Sequence, residues 1–191
     1  LIGGMGLAIG LAFQGSLSNV AAGAMLLVFR PYKVRDFIEV EGASGTVDEI
    51  GLFTTTLDTP DLRRITIPNG RIFGNVIENK SWHEKRRVDI NVGVSYDADI
   101  DETRRILVES CRNLDKLIPG EEPVAYLKEL GGSSVDWQVR LFCAPDDYWA
   151  VREQGTRAIK YSLDDAQIEI PYPHMVVETK AAQAVPKAAA E

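Results

Sequence analysis

Cysteine and histidine are both scarce in this sequence. The 191 residues contain two of each, and none of the four has the spacing of a common metal-binding or redox motif. Cys111 and Cys143 lie in apolar surroundings, where a thiol in a reducing compartment behaves as a small core residue. We therefore expect no metal, no cofactor and no enzymatic activity.

Positive charge is not in excess, and a long charge-free stretch stands at the start. The formal net charge is -7, which argues against a dedicated nucleic-acid-binding protein. Residues 1–29 contain no charged side chain, and Arg30, Lys33 and Arg35 follow directly. Basic residues are enriched at the cytoplasmic end of membrane helices. The pattern predicts a membrane segment with residues 30–191 on the cytoplasmic side.

The charge-free stretch is predicted to be helical, with small and bulky residues on separate faces. At about 100° per residue, two leucines fall about 40° apart on one face, between a glycine flank and an alanine flank. Bulky apolar residues, including Ile9 and Phe13, group on the opposite side. The three sets on and beside the leucine face are Leu7 and Leu11, Gly6 and Gly10, and Ala8 and Ala12.

This layout suits a ring of identical helices. Glycine and alanine allow helix backbones to approach closely in membranes, so the glycine flank of one copy can meet the alanine flank of the next. Leu7 and Leu11 would then point to the ring axis and form a hydrophobic constriction that blocks ions by dewetting. Burial in the core of a soluble domain is the alternative explanation of the same pattern.

A bend is predicted where Gln14, Gly15 and a serine interrupt the apolar run, and Gly23 is a second candidate bend position. Glycine in a helix interior costs about 1 kcal/mol relative to alanine, and Gly/Ser pairs are a known cause of kinks. Ser16 or Ser18 would cap a second helix over residues 17–29. Close packing is the alternative reason for both glycines. The predicted apolar stripe of the second helix is Leu17, Val20, Ala21, Ala24 and Val28.

Length places a limit on the segment before the predicted bend. Residues 1–13 span about 20 Å as a helix, which is less than the hydrocarbon core of about 30 Å. We therefore expect membrane-spanning residues upstream of residue 1.

Two further domains are predicted after the membrane segment. Short alternating runs separated by turn signals predict a small β-barrel or curled sheet over residues 30–86. Residues 87–178 follow the order β-α-β-β-α-β, which is typical of the ferredoxin-like α+β fold, and residues 179–191 form an alanine-rich tail that we expect to be disordered. The predicted strands are residues 37–40, 46–52, 53–57, 63–67 and 76–79 in the first domain, and 87–95, 124–130, 135–143 and 168–170 in the second.

The run GLAIGLAFQGSLSNVAAGAMLLVFRPYKVRDFIEVEG strongly resembles the pore helix and following strand of the MscS family of mechanosensitive channels. Further matches are Gly45-Thr46-Val47, Ile67-Pro68-Asn69-Gly70, Val92-Gly93-Val94-Ser95-Tyr96-Asp97 and Pro171-Tyr172-Pro173. The combination of QGSLSN with IPNG is more specific than either motif alone. The resemblance extends over residues 1–178.

The resemblance implies a fold, a function and roles for residues. It implies a multi-pass protein of the inner membrane that contacts lipids, assembles as a homoheptamer and opens under tension to release ions and small solutes during hypoosmotic shock. Leu7 and Leu11 match the pore constriction, Gly15 and Gly23 match the bends, and the flanking small residues match helix-packing positions. The soluble domains match an Sm-like β-domain and an α/β domain with side portals.

Two competing interpretations were weighed. The glycines at 4, 6 and 10 resemble a dinucleotide-binding loop, but no strand precedes them and no acidic residue occurs before Asp36, so that chemistry lacks its context. An Sm-like RNA-binding or scaffold module attached to a membrane is the second alternative. Arg63, Arg64 and Arg71 could form its phosphate-binding patch, although a solvated charged face is the favoured explanation of these residues.

Overall fold

The computed structural model describes residues 2–175, so the predicted tail at 179–191 lies outside the described residues. The chain divides into two compact units. Residues up to 88, with 116–120 and 142–151, form the first unit, and residues 89–115, 121–141 and those from 152 onward form the second. The first unit therefore includes two short stretches that come from much later in the sequence.

The first element, α1, is one uninterrupted helix over Ile2–Phe29. The predicted start of a second helix after Ser16 or Ser18 is wrong, because the helix continues through both serines. It ends where Arg30 adopts the left-handed conformation, with φ of 48°, and donates its N–H to the carbonyl of Leu26 at 2.9 Å. Pro31 follows and cannot continue the helix, since it has no N–H to donate.

Five short strands of the first unit form one antiparallel sheet, in the order β4-β3-β2-β1-β5. The strands occur close to their predicted positions because apolar and polar residues alternate along them. In β3, for example, Thr55 and Leu57 are buried while their neighbours are half-buried. The strands are β1 (Phe37–Val40), β2 (Ala43–Ile50), β3 (Thr54–Asp58), β4 (Arg64–Pro68) and β5 (Ile77–Asn79).

The sheet does not close into the predicted barrel. Among the described residues, β4 and β5 are the two edges and do not pair with each other. A short helix, α2 (Asn69–Phe73), separates them and places the fully buried Ile72 in the core. The core of this unit also contains Leu26 from α1, so the end of the first helix is part of the β unit.

The second sheet has three strands in the order β6-β8-β7. Buried and half-buried residues alternate along the whole length of β8, as the sequence predicted. The remaining elements are β6 (Arg86–Val94), α3 (Ile100–Arg112), β7 (Val124–Leu130), β8 (Val135–Cys143) and α4 (Tyr148–Asp165).

The sequence predicts that Asp99 caps a helix running to about residue 114, and the start of α3 confirms the cap. The Asp99 side chain accepts a hydrogen bond from the backbone N–H of Glu102 at 2.8 Å, which satisfies one of the unpaired amides at the helix N-terminus. Helical spacing also predicts one inward stripe, and three of its residues are buried, whereas Ile100 is exposed. The predicted stripe is Ile100, Thr103, Leu107, Cys111 and Leu114. This agreement reflects the regular spacing of apolar residues on a helix that has one face in a core.

The predicted last strand, residues 168–170, is not formed. In the described part of the chain this segment makes one ladder-like contact, in which the N–H of Ser95 donates to the carbonyl of Glu169 at 2.9 Å. Pro171 follows immediately and has no N–H for a further bond. The observed order is therefore β-α-β-β-α, without the closing strand.

Candidate functional site

The candidate constriction residues point away from the protein. Leu7 is 68% exposed and Leu11 is 63% exposed. A Cβ added at Gly6 or Gly10 would meet no atom within 4 Å, so these positions have open space beside them. Burial of the two leucines in a single-chain core would have excluded a pore-facing role, and that burial is not observed.

The first half of α1 is apolar on all sides. Ile9 and Phe13, on the face opposite the leucines, are exposed as well. A helix that is apolar all round belongs inside a large core or a membrane. The stretch Gly6–Phe29 has 24 residues and is long and apolar enough to cross a membrane by length and composition.

The second half of α1 has one buried face, and it is not the predicted one. The predicted stripe is mostly exposed, with Leu17 and Val28 among its most exposed members. The residues that face the β unit lie about two positions away, which corresponds to nearly the opposite side of the helix. They follow the spacing i, i+3, i+4 and i+7, and they are Asn19, Ala22, Gly23 and Leu26.

Asn19 connects α1 to the turn at the start of α2. Its Oδ1 accepts the backbone N–H of Gly70 at 2.9 Å, and its Nδ2 donates to the carbonyl of Gly15 at 3.0 Å. A Cβ on Gly70 would lie 3.0 Å from Asn19 Oδ1, so glycine permits the close approach. The QGSLSN and IPNG motifs, which are far apart in sequence, therefore meet through this bond.

Gly23 lies directly against the same turn. An added Cβ would stand 2.5 Å from Asn69 Nδ2 and 2.6 Å from the carbonyl oxygen of Leu52. Close packing, one of the two reasons weighed for this glycine, thus accounts for Gly23. At Gly15 an added Cβ would meet nothing within 4 Å, so packing does not explain that glycine. Bending at Gln14, Gly15 or Gly23 stays a prediction.

Asn69 is fully buried and uses its whole amide group. Its Nδ2 donates to the carbonyls of Gly51 at 2.9 Å and Leu52 at 3.1 Å, and its Oδ1 accepts the hydroxyl of Thr55 at 2.9 Å. The two backbone acceptors fix the orientation of the amide, because only the nitrogen carries hydrogens. The side chain thereby holds the turn that receives α1.

The same network continues to the chain just after α1. Thr55 has one hydroxyl hydrogen, and Asn69 accepts it, so the hydroxyl of Tyr32 must donate in its 3.1 Å contact with Thr55. Burial raises the pKa of Tyr32 above its ordinary value, although the hydrogen bond with Thr55 opposes this shift. We call Asn19, Gly23, Tyr32, Thr55 and Asn69 the anchor network, because they attach the second half of α1 to the β unit.

The roles of the polar members of the anchor network were not predicted from the sequence. QGSLSN and IPNG were interpreted only as motifs shared with the family, and Thr55 only as part of a predicted strand. An asparagine inside a charge-free apolar helix is the signal that was available, because a polar side chain there requires a partner.

The predicted phosphate-binding patch is neutralised within the protein. Each of its three arginines forms an ion pair with a nearby carboxylate, which removes the feature that favoured RNA binding. Arg63 lies 2.6 Å from Asp61, Arg64 lies 2.8 Å from Asp48, and Arg71 lies 2.5 Å from Glu41. Across residues 2–175, no group of three His, Cys, Asp or Glu side chains is placed to hold a metal ion.

Known proteins resemble this chain along most of its length. A family model for the β-domain of mechanosensitive ion channels matches residues 15–82, and one for the C-terminal part of the mechanosensitive ion channel MscS matches residues 88–170. The small-conductance mechanosensitive channel of Edwardsiella ictaluri is 42% identical over 90% of this chain and 60% of that protein. An uncharacterized MscS family protein of Synechocystis is 42% identical over 91% of this chain and 58% of that protein. This chain therefore spans little more than half the length of those relatives.

Solved structures resemble the fold described above. The crystal structure of Helicobacter pylori MscS in its closed state matches with a TM-score of 0.86 at 28% identity, over 94% of this chain and 72% of that one. Arabidopsis thaliana MSL1 matches with a TM-score of 0.69 at 22% identity, over 90% of this chain and 64% of that one, and shows the same fold. Taken with the two family models, these matches show that the chain belongs to the MscS family of mechanosensitive ion channels.

Proposed function

We propose that this chain forms the pore-lining helix and cytoplasmic part of a tension-gated channel that releases ions and small solutes on hypoosmotic shock. The observation that carries the proposal is the contrast within α1. Its first half is apolar and exposed on every side, whereas its second half is fixed to the β unit. A helix of this kind requires lipid and other helices around its exposed half.

Copies of α1 would supply those neighbouring helices. With Gly6 and Gly10 of one copy against Ala8 and Ala12 of the next, the backbones approach closely and pack through van der Waals contacts. Leu7 and Leu11 then face the axis and form two rings. A neck lined only by leucine loses its water when it is narrow, and the dry neck blocks ions. No catalytic group, metal or cofactor takes part.

Opening would move the first half of α1 relative to the anchor network. Asn19 and Gly23 hold the second half against the turn at Asn69, so tilting or rotation has to be accommodated before Asn19. Gly15 is the natural position, since it has open space and lacks a side chain that would stiffen the helix. A bend near Gln14 and Gly15 would widen the leucine rings and let water enter.

The assembly and location are proposed from family membership. The chain would form a homoheptamer in the inner membrane, with residues 30–191 cytoplasmic and further membrane helices in the part of the protein that its relatives have beyond the matched region. In this proposal the first unit corresponds to an Sm-like β-domain and the second to a ferredoxin-like domain. The order β6-β8-β7 supports the second assignment, because it places the first, third and second strands side by side as the ferredoxin-like fold does.

The test is electrical recording from the full-length protein in liposome patches. We expect stepwise currents when suction raises membrane tension, and particles of seven copies by mass photometry in detergent. A membrane that reaches lysis without any protein-dependent current would contradict the channel. A monomer or dimer in detergent would contradict the ring.

A further inference from the structure

A groove with a volume of about 560 Å³ lies in the first unit, and its lining residues come from outside α1. Strands β1 to β3 form one side of it, and the segment from Pro145 to Trp149 forms the other. Its volume falls within the range of about 300–1,000 Å³ that is usual for small-molecule sites. We call it the arginine groove, and the side chains that matter are Arg35, Phe37, Lys80, Arg86, Asp146 and Trp149.

Arg35 occupies a backbone position that favours glycine. Residues 33–36 form a turn closed by the N–H of Asp36 and the carbonyl of Lys33 at 3.1 Å, and Arg35 has a φ of 80° at its third position. Val34 has no such positive φ, so this is a type II turn, in which glycine avoids steric strain. The backbone alone therefore does not explain an arginine here, and strained positions of this kind cluster at functional sites.

Two guanidinium groups of the groove have no carboxylate partner. Within residues 2–175, no acidic side chain forms an ion pair with Arg35 or Arg86. Arg86 instead stacks on the ring of Tyr148, with its guanidinium carbon 3.7 Å from the ring centre. Lys80, by contrast, is paired with Glu39 at 2.5 Å. The groove thus offers two guanidiniums that are available for an external anion.

The groove also has an aromatic surface and an acceptor. Trp149 is 66% exposed and contacts Tyr148 edge to face, with ring centres 5.2 Å apart. Exposed tryptophan is a stacking surface for planar rings. Asp146 is an exposed carboxylate without an ion-pair partner in the described chain, and it can accept hydrogen bonds from amino or hydroxyl groups. A simple inorganic anion would use only the arginines.

We propose that the arginine groove binds a nucleoside phosphate. The phosphate would lie at Arg35 and Arg86, since a guanidinium matches phosphate oxygens with two parallel hydrogen bonds. The base would stack on Trp149, and Asp146 would accept from its amino group or from the ribose hydroxyls. Serine and threonine hydroxyls at Ser44 and Thr46 line the same groove and add donors for the phosphate.

Equilibrium titration of the full chain in detergent with AMP, adenosine and inorganic phosphate tests this site. Arg35→Gly is the decisive variant, because it removes the guanidinium side chain while glycine suits the backbone of the turn. Arg63→Ala is the matched control, an exposed arginine paired with Asp61 and outside the groove. We expect saturable AMP binding that weakens about tenfold in Arg35→Gly and is unchanged in Arg63→Ala, with no loss of thermal stability in Arg35→Gly.

Three results would overturn the proposal. One is the absence of saturable AMP binding. A groove that is covered by a second copy of the chain would give this result and would count against the proposal. Another is inorganic phosphate binding as tightly as AMP, which would reduce the groove to a plain anion site. The last is equal AMP affinity in Arg35→Gly and Arg63→Ala. Binding is read at equilibrium, so these outcomes are independent of channel activity.

Discussion

The two halves of α1 are built from similar residues but have opposite surroundings. Leu7 in the first half is 68% exposed, whereas Leu26 in the second half is 1% exposed. Both halves are rich in alanine and leucine, so hydrophobicity does not distinguish them. The difference comes from one polar side chain and one missing side chain, Asn19 and Gly23, which fit the turn at Asn69.

The two halves of α1 are held in place by different kinds of contact. The second half is held by directed bonds within its own chain, and these fix its rotation. Among the described residues, the first half has no such bond before Gln14, and in the proposed channel it is held by shape and by its lipid or helix neighbours. In the proposed channel, a helix with one fixed half and one adaptable half can move its first half without detaching from the β unit.

The largest effect is expected at the turn that receives α1. Asn69→Ala removes both donors to Gly51 and Leu52 and the acceptor of the Thr55 hydroxyl. Each buried group left without a partner costs about 1–3 kcal/mol, so the free energy of unfolding should fall by about 3 kcal/mol or more. Urea unfolding of the detergent-solubilised chain measures this loss.

Asn75→Ala is the control for that variant. Asn75 also donates twice, to Glu41 and to the carbonyl of Arg71, but it is exposed. Water replaces its partners, and the expected loss is about 0.5–1 kcal/mol. Equal losses in the two variants would show that the buried amide does not hold the turn.

The same substitution in the two halves of α1 should have opposite effects. Gly23→Ala forces a methyl group against Asn69 and Leu52 and should cost about 1–3 kcal/mol through overpacking. Gly15→Ala meets open space and should gain up to about 1 kcal/mol of helix stability. In the full-length channel, the stiffer helix of Gly15→Ala should also raise the tension threshold. Thermal unfolding measures the changes in stability, and patch recording measures the tension threshold. A more stable Gly23→Ala variant would contradict close packing of Gly23 against Asn69 and Leu52.

A smaller effect is expected in alkali at Tyr32. Its pKa in the folded protein is raised above the ordinary value of 10.0 by burial. The neutral phenol therefore contributes stability below that pH, and the contribution is lost as the pH rises through the folded pKa. Tyr32→Phe should cost about 1 kcal/mol at neutral pH and lose less stability than the wild type in alkali. The urea unfolding midpoint is measured as a function of pH for the wild type, for Tyr32→Phe and for the control Tyr172→Phe, whose side chain is exposed. The same pH dependence of the midpoint in all three proteins would contradict a raised pKa at Tyr32.

Elements with strict alternation or helical spacing were predictable from the sequence. The strands of the first sheet and the stripe on α3 follow directly from residues such as Thr55, Leu57 and Leu107, whose burial matches their place in the pattern. The final strand was overpredicted because residues 168–170 have suitable side chains, but in the described part of the chain they form only one backbone bond to a strand neighbour, at Ser95. Pairing depends on tertiary neighbours that the local pattern does not contain.

The buried face of α1 could not be predicted from hydrophobicity. The chosen stripe, which includes Leu17 and Val28, was the more apolar one, yet the protein buries the side that carries Asn19 and Gly23. That choice depends on polar groups of a turn about 50 residues further along the chain. The positions of Leu7 and Leu11 on one face followed from helix geometry alone, whereas their role depends on an assembly beyond one chain.

The most direct test of the leucine constriction compares Leu11→Ser with Ile9→Ser in patch recordings of the full-length protein. Both side chains are exposed in the single chain, at 63% and 58%, but they lie on different faces of α1. Leu11→Ser should hydrate the neck, lower the tension threshold and increase leak, since polar groups oppose dewetting. Ile9→Ser should leave the neck dry and the leak at the wild-type level. An unchanged threshold and leak in Leu11→Ser, or the same gain in both variants, would contradict a gate formed by Leu7 and Leu11.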